Sequence, residues 1–179
     1  MAVRKTRHRK LVDAGLARKT GKAQPPTEKS LRDFLMMHMK GHWTPIETAT
    51  MSGFPDVLRT IDGRTDFIEL KTYKPTQGPI LRAAQVGFMA NRLARGGAPT
   101  FIITRSTTSK TLRLYTYGLG SMYLKAVGNG EVELVEGSMF EAHFPHNWGA
   151  VEDYLSFSSS TVMCRVKAGV KWSPYIQEK

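Results

Sequence analysis

The sequence has very little cysteine and no long apolar run. Cys164 stands alone, so the chain has no internal disulfide and no cysteine-based zinc cluster. No run approaches the roughly 18 apolar residues that a membrane helix needs, so no membrane partner is expected. The N-terminus is basic but lacks the apolar core of a secretory signal. These absences favour an intracellular protein.

Acidic residues are scarce near the N-terminus. Residues 1–22 carry eight Lys or Arg residues against Asp13 alone, which is +7 of a net charge of +11. A basic block of this kind is typical of contact with nucleic-acid phosphates, although a solvated tail has the same composition. We expect residues 1–24 to form a flexible basic arm that binds phosphates through Arg4, Lys5, Arg7, Arg9 and Lys10.

The pattern of residues 25–120 predicts one α/β domain. Thr27 or Ser30 can cap a helix in which Leu31, Phe34 and Leu35 recur at helical spacing. Further along we expect a hairpin, a helix over 80–95, an apolar strand over 99–106 and an alternating strand over 111–117. This order predicts a mixed β-sheet flanked by helices. Residues 121–179 have weaker signals: a hairpin at Asn129-Gly130, then a loose C-terminal extension packed on or beside the core.

The segment SGFPDVLRTIDGRTDFIELKT, residues 52–72, places charged residues within apolar runs. Asp62-Gly63 between apolar residues is the strongest short hairpin signal. With these two residues as the loop, Val57 faces Ile68 and Asp56 faces Glu69 across the strands, with Cβ atoms about 4.5–5.5 Å apart. Lys71 lies two residues beyond Glu69 and therefore projects from the same face. A shifted turn would change the partner of Asp56.

Two carboxylates placed opposite each other destabilise a sheet unless something compensates their charge. A shared Mg²⁺ does so, and it can polarise a phosphate and lower the pKa of a bound water. Lys71 could then orient the water and offset charge in the transition state. The alternative is a surface hairpin with an ordinary Glu-x-Lys ion pair.

These residues resemble the motif of the PD-(D/E)xK nuclease superfamily, here Pro55-Asp56 and, thirteen residues after Asp56, Glu69-Leu70-Lys71. More narrowly, SGFPDV, DFIELKT and LRAAQ are similar to VRR-NUC-type and Holliday-junction-resolvase-like nucleases, including small phage-encoded members. The similarity spans roughly residues 27–105. It implies a restriction-endonuclease-like core and a Mg²⁺-dependent endonuclease, with Mn²⁺ as a substitute, that cuts branched or Holliday-junction DNA. It also implies a homodimer in the cytoplasm of a bacterium or a phage-infected host.

Carried over by position, the resemblance assigns roles to single residues. Asp56 and Glu69 would bind the metal together with the Leu70 carbonyl, and Lys71 would serve the attacking water. Gln85 matches the glutamine that supports the catalytic lysine or a phosphate in the family. The proline that often precedes that glutamine is absent, since Ala83 and Ala84 occupy the stretch.

The resemblance also implies an additional acid, for which two positions compete. Glu47 lies nine residues before Asp56, in a segment that leads into the core strand, and we favour it as a metal ligand. Glu28 begins the first helix, where an acid also stabilises the helix dipole.

Other bases near the expected cleft are candidates for phosphate contact. Lys74 and Arg82 are assigned to DNA binding, and Arg92 and Arg95 are either further phosphate contacts or ordinary exposed helix charges. Two rival functions remain: a basic nucleic-acid-binding protein without catalysis, and an exonuclease or nicking enzyme on the same core.

Overall fold

The computed structural model describes residues 25–47, 53–118, 123–136, 140–167 and 175–177. The basic arm predicted for residues 1–24 lies outside these ranges. None of the helices within them is long and apolar enough to cross a membrane. The helices are α1 (Glu28–His38), α2 (Ala83–Ala94) and α3 (Trp148–Lys167). The strands are β1 (His42–Pro45), β2 (Val57–Ile61), β3 (Arg64–Tyr73), β4 (Ile80–Arg82), β5 (Thr100–Ser106), β6 (Leu112–Thr116), β7 (Tyr123–Gly128), β8 (Glu131–Glu136), β9 (Phe140–Ala142) and β10 (Tyr175–Gln177).

A six-stranded mixed sheet forms the centre of the fold, in the order β1-β2-β3-β5-β6-β9. Strands β3 and β5 are parallel, and the other neighbouring pairs are antiparallel. Helices α1 and α3 pack on one face of this sheet, and α2 packs on the other. The prediction of an α/β fold with a mixed sheet flanked by helices is therefore confirmed.

A second sheet, in the order β10-β7-β8-β4, packs over the face that carries α2. Its central hairpin turns at Asn129-Gly130 as predicted, and both residues have positive φ, as a two-residue hairpin loop of this kind requires. The predicted start of the second helix is wrong. Ile80–Arg82 pairs with β8 as a strand, so α2 begins only at Ala83.

The C-terminal part of the chain is more regular than its serine-rich sequence indicates. The C-terminal extension that was predicted to be loose is instead helical from Trp148 to Lys167, where it forms α3. Val151 and Leu155 are fully buried against the same core as Leu31 and Leu35 of α1. Burial of this apolar face outweighs the weak helical preference of the serines.

The buried side chain of Arg59 on β2 connects the sheet to both α1 and α3. Its guanidinium pairs with Glu152 of α3, and its Nε donates to the Lys40 carbonyl just beyond α1 at 2.9 Å. The other oxygen of Glu152 accepts from the Lys40 amide at 2.8 Å. The network holds the end of α1 against the sheet and so helps to fix the helix whose first residue is Glu28.

The β2–β3 hairpin has the predicted register, from Ile61 opposite Arg64 to Val57 opposite Ile68. Asp62 and Gly63 form the loop with φ values of 48° and 72°. The ladder ends at the Val57–Ile68 pair, so Asp56 lies one residue before β2 instead of inside the ladder. From Glu69 onward, β3 therefore has no partner residue in β2, and an open position is left beside it.

Candidate metal centre

The centre of the candidate site is β3, whose side chains alternate between the two faces of the sheet. Ile68 and Leu70 belong to the core beneath α1 and α3. Glu69 projects from the opposite face, where the side chain of Gln85 on α2 donates to it. Lys71 lies on the same face as Glu69, and their Nζ and Oε1 atoms are 2.7 Å apart. The predicted proximity of Glu69 and Lys71 is confirmed.

Asp56 occupies the open position next to β3. One of its carboxylate oxygens accepts a hydrogen bond from the Leu70 amide at 2.7 Å, which replaces the ladder bond that β2 no longer supplies. The N–H and C=O of a strand residue point toward the same neighbour, so the Leu70 carbonyl is directed toward the Asp56 side. Asp56 and Leu70 together line a pocket of about 210 Å³.

Glu69 is a fully buried carboxylate of the sheet, with a side chain that is 0 % exposed. Its Oε1 atom accepts from Lys71 and from the Gln85 amide. Its Oε2 atom is buried without a hydrogen-bond partner. A buried carboxylate oxygen without a partner is costly, and such exceptions call for an explanation such as an absent ion.

The pKa values of Glu69 and Lys71 reflect the crowding of buried charges in this site. The pKa of Glu69 is raised to about 8: burial raises it most, Lys71 opposes the rise, and the nearby carboxylates of Asp56 and Glu28 add to it. Burial by itself lowers the pKa of Lys71, but Glu69, Glu28 and Asp56 outweigh burial and raise it. Three carboxylates therefore share one ammonium, and a cation would relieve their repulsion.

Gln85 fixes the orientation of Glu69. Its side-chain oxygen accepts from the Arg82 amide at 2.8 Å, and its Nε2 donates to Oε1 of Glu69. Both ends of the amide are thus engaged, and Gln85 is almost fully buried. In this structure Gln85 contacts Glu69 and supports Lys71 only through that carboxylate.

Gly53 brings the chain before Asp56 against the first turn of α2. It has a positive φ of 87°, which favours glycine. A Cβ atom there would lie far inside contact distance of the Ala84 carbonyl oxygen. The glycine that precedes Phe54-Pro55-Asp56 is therefore required for the close approach of this segment to α2.

The two candidates for the additional acid have different surroundings. Glu28, the first residue of α1, lies 3.2 Å from Nζ of Lys71 and also lines the 210 Å³ pocket with Asp56. Glu47 is exposed and lines that same pocket. The ion pair with Lys71 favours Glu28 over Glu47 as the additional acid. In the sequence, Glu28 could be recognised only as an acid in the first turn of a helix.

A second pocket, of about 370 Å³, adjoins the other side of Lys71. Lys71, Gln85 and both predicted phosphate-binding residues, Lys74 and Arg82, line it. The five bases predicted to bind phosphates in the arm, Arg4, Lys5, Arg7, Arg9 and Lys10, lie outside the described residues. The structure thus places two of the seven predicted DNA-binding residues beside the site.

The residues present fit Mg²⁺ as a partial protein site. Across the described ranges, no group of three or more His, Cys, Asp or Glu side chains forms a ready-made metal cage. Mg²⁺ rarely uses such cages, since it usually keeps several waters and binds one or two carboxylates together with substrate phosphates. The free Oε2 of Glu69, the Asp56 carboxylate and the Leu70 carbonyl have the oxygen chemistry that the ion requires.

Comparison with known proteins gives no independent assignment. No family model matches the sequence, and no curated protein matches it. The interpretation of the centre therefore depends on the geometry of Asp56, Glu69 and Lys71.

Proposed function

We propose that the protein is a Mg²⁺-dependent endonuclease of the PD-(D/E)xK type that hydrolyses phosphodiester bonds in DNA. The observation that carries the proposal is the unpartnered, buried Oε2 of Glu69, which lies in a site where Asp56, Glu28 and Lys71 also act on that carboxylate. A purely structural role does not explain this arrangement, because it leaves one buried carboxylate oxygen without a hydrogen-bond partner.

Asp56, Glu69 and the Leu70 carbonyl would hold the ion. When bound, Mg²⁺ supplies electrophilic polarisation of a phosphate and a water of lowered pKa. Gln85 occupies Oε1 of Glu69 and leaves Oε2 available, so it acts as a positioning residue. Mn²⁺, which accepts the same oxygen ligands, would replace Mg²⁺.

Lys71 would orient the attacking water and offset the negative charge that develops on the phosphate. The carboxylates around its ammonium raise its pKa, so it acts as a cation and does not accept a proton. Glu28 would serve as the additional acid, because its carboxylate pairs with the same Lys71 ammonium that pairs with Glu69. Glu47 would contribute through the pocket that it shares with Asp56.

DNA is the substrate that the charge distribution favours. Lys74 and Arg82 line the pocket beside Lys71, and the arm adds a net charge of +7 within residues 1–22. These bases would give the affinity a strong salt dependence. A basic protein that only binds DNA is a weaker candidate, since carboxylates that face an anionic ligand oppose binding. Selectivity for branched DNA and a homodimeric state follow only from the resemblance and belong to the same proposal.

The proposal is tested by incubating the full-length protein with linear, nicked and four-way branched DNA in Mg²⁺, in Mn²⁺ or in EDTA. We expect internal cuts with either ion and none in EDTA, with the branched substrate cut fastest. Absence of cutting in both ions, for a protein that still binds the DNA, would overturn the nuclease. Release of mononucleotides from DNA ends would show an exonuclease, and equal rates on linear and branched DNA would remove the junction selectivity.

A further inference from the structure

The chain between Glu69 and Glu131 contains no acidic residue. Residues 70–130 hold nine Lys or Arg residues and no Asp or Glu. Lys74 and Arg82 of this stretch lie beside Lys71, and Arg92 and Arg95 lie at the opposite end of α2. Positive charge therefore lies at both ends of α2, and the proposed catalytic centre does not use the second location.

An aromatic trio, formed by Phe54, Phe67 and Phe88, lies between these two locations. Its ring centroids are 4.8 to 5.9 Å apart. All three side chains are half-buried, and none belongs to either of the two buried cores. Three partly exposed rings in a positively charged surrounding are the composition of a surface on which nucleic-acid bases stack.

The aromatic trio directly continues the candidate metal centre. Phe67 precedes Glu69 by two residues on β3 and so projects from the same face of the sheet. Phe54 precedes Asp56 by two residues, and Phe88 lies about one helical turn after Gln85 on α2. A strand bound at the centre would reach the trio next.

A pocket of about 440 Å³ opens where the aromatic trio meets the end of α2. Phe88, Asn91, Arg92, Arg95 and Gly97 line it. The Arg92 guanidinium lies 3.7 Å from the centre of the Phe67 ring, and its Nε donates to the Ala98 carbonyl at 3.0 Å. Arg95 is exposed and makes no ion pair within the described part of the chain. Arg92 thus lies over the Phe67 ring, and exposed Arg95 is available for a phosphate.

We propose that this pocket binds an unpaired nucleotide of the DNA strand, with its base against Phe88 and its phosphate at Arg95. The inference rests on the proposed function, because the strand held in the pocket would be the strand that is cut. Arg95 lies ten residues after Gln85, about 15 Å along α2. If the strand between them keeps the duplex rise of about 3.4 Å per nucleotide, the bound nucleotide would lie roughly four positions from the cut.

The lining of the pocket favours a nucleotide over other anionic ligands. An acidic peptide would pair with the arginines but has no flat ring to stack on Phe88. A single nucleotide carries both the phosphate and the π face that the lining can bind. Stacking on the neighbouring bases of a duplex would hide that face, so the pocket selects DNA with an unpaired, unstacked segment.

The test measures binding of single-stranded oligonucleotides that carry 2-aminopurine at successive positions. All variants are made in the full chain with Asp56→Asn, in EDTA, so that no strand is cut. We expect Phe88→Leu and Arg95→Ala each to weaken binding about tenfold, and Phe88→Leu to abolish the stacking-dependent quenching of one position. Arg95→Ala should also reduce the slope of log K against log salt by about 0.7.

The matched controls are Phe157→Leu and Lys40→Ala, which remove an exposed ring and an exposed charge on the α1 and α3 side. Both should bind within twofold of the parent. Both pocket variants should fold, because Phe88→Leu keeps an apolar side chain and Arg95 is exposed. Thermal melting of the two variants verifies this. Unchanged binding by both pocket variants would overturn the inference. DNA cleavage by the wild type in Mg²⁺ would still support the proposed nuclease in that case. Weakened binding without any cleavage by the wild type would overturn the nuclease and keep the nucleotide site.

Discussion

Replacing Asp56 with Asn is expected to reduce DNA cleavage by about a hundredfold to a thousandfold while DNA binding persists. The amide keeps the shape of the side chain, and its oxygen can still accept from the Leu70 amide, so the local fold should survive. What is lost is the negative charge that the metal requires. Losses of this size are typical when one electrostatic element of a catalytic site is removed.

Lys71→Met should produce a comparable loss of turnover. Methionine retains the apolar stem but not the ammonium that lies 2.7 Å from Glu69 and 3.2 Å from Glu28. Single-turnover rates at saturating DNA, measured beside a filter-binding or anisotropy assay, separate chemistry from binding. Asp33→Asn is the matched control, because it removes an exposed acid of α1 that pairs only with neighbouring Arg32 among the described contacts. Cleavage by Asp56→Asn at the wild-type rate would eliminate the proposed centre.

The stability of the metal-free protein should depend on pH through Glu69. The pKa of this carboxyl is raised, mainly by burial, from its ordinary value of 4.5 to about 8 in the folded protein. The folded state therefore retains a proton that the unfolded chain releases between these two values, so the free energy of unfolding falls as pH rises from about 4.5 to about 8. The accumulated loss is on the order of several kcal/mol.

Glu69→Gln should remove that part of the pH dependence. The glutamine oxygen can still accept from Gln85 and Lys71, but the side chain no longer titrates. At pH 5 the folded wild type holds Glu69 in its neutral form, because its pKa is raised to about 8, so glutamine replaces a neutral carboxyl there. Denaturant unfolding in EDTA at pH 5 and pH 8 should therefore show a smaller fall for the variant than for wild type. Parallel pH profiles would contradict the buried, proton-binding state of Glu69.

The local geometry of the site could be predicted from the sequence because it depends on short-range rules. Asp62-Gly63 determined the turn, the turn determined the register, and the register placed Glu69 and Lys71 on one face. Asp56 departs from the expected pairing because β2 begins one residue after it, which lets its carboxylate bind the Leu70 amide. Strand ends of this kind depend on the neighbouring chain and leave no clear local signal.

The long-range features were beyond the reach of local patterns. Residues 80–82 have an apolar pattern that suits a helix, and only pairing with β8 makes them a strand. The serines of α3 are helical because its first half covers α1 and the sheet. The aromatic trio joins residues from three separate segments, so no periodicity along the chain could reveal it.

The most direct measurement of the central claim is anomalous diffraction from crystals of the protein soaked in Mn²⁺. We expect a peak within about 2.0–2.5 Å of both a Glu69 and an Asp56 carboxylate oxygen, with the Leu70 carbonyl as a third ligand and the peak lost in Asp56→Asn. A Mn²⁺-soaked structure in which these two carboxylates point apart and no ion lies between them would contradict it.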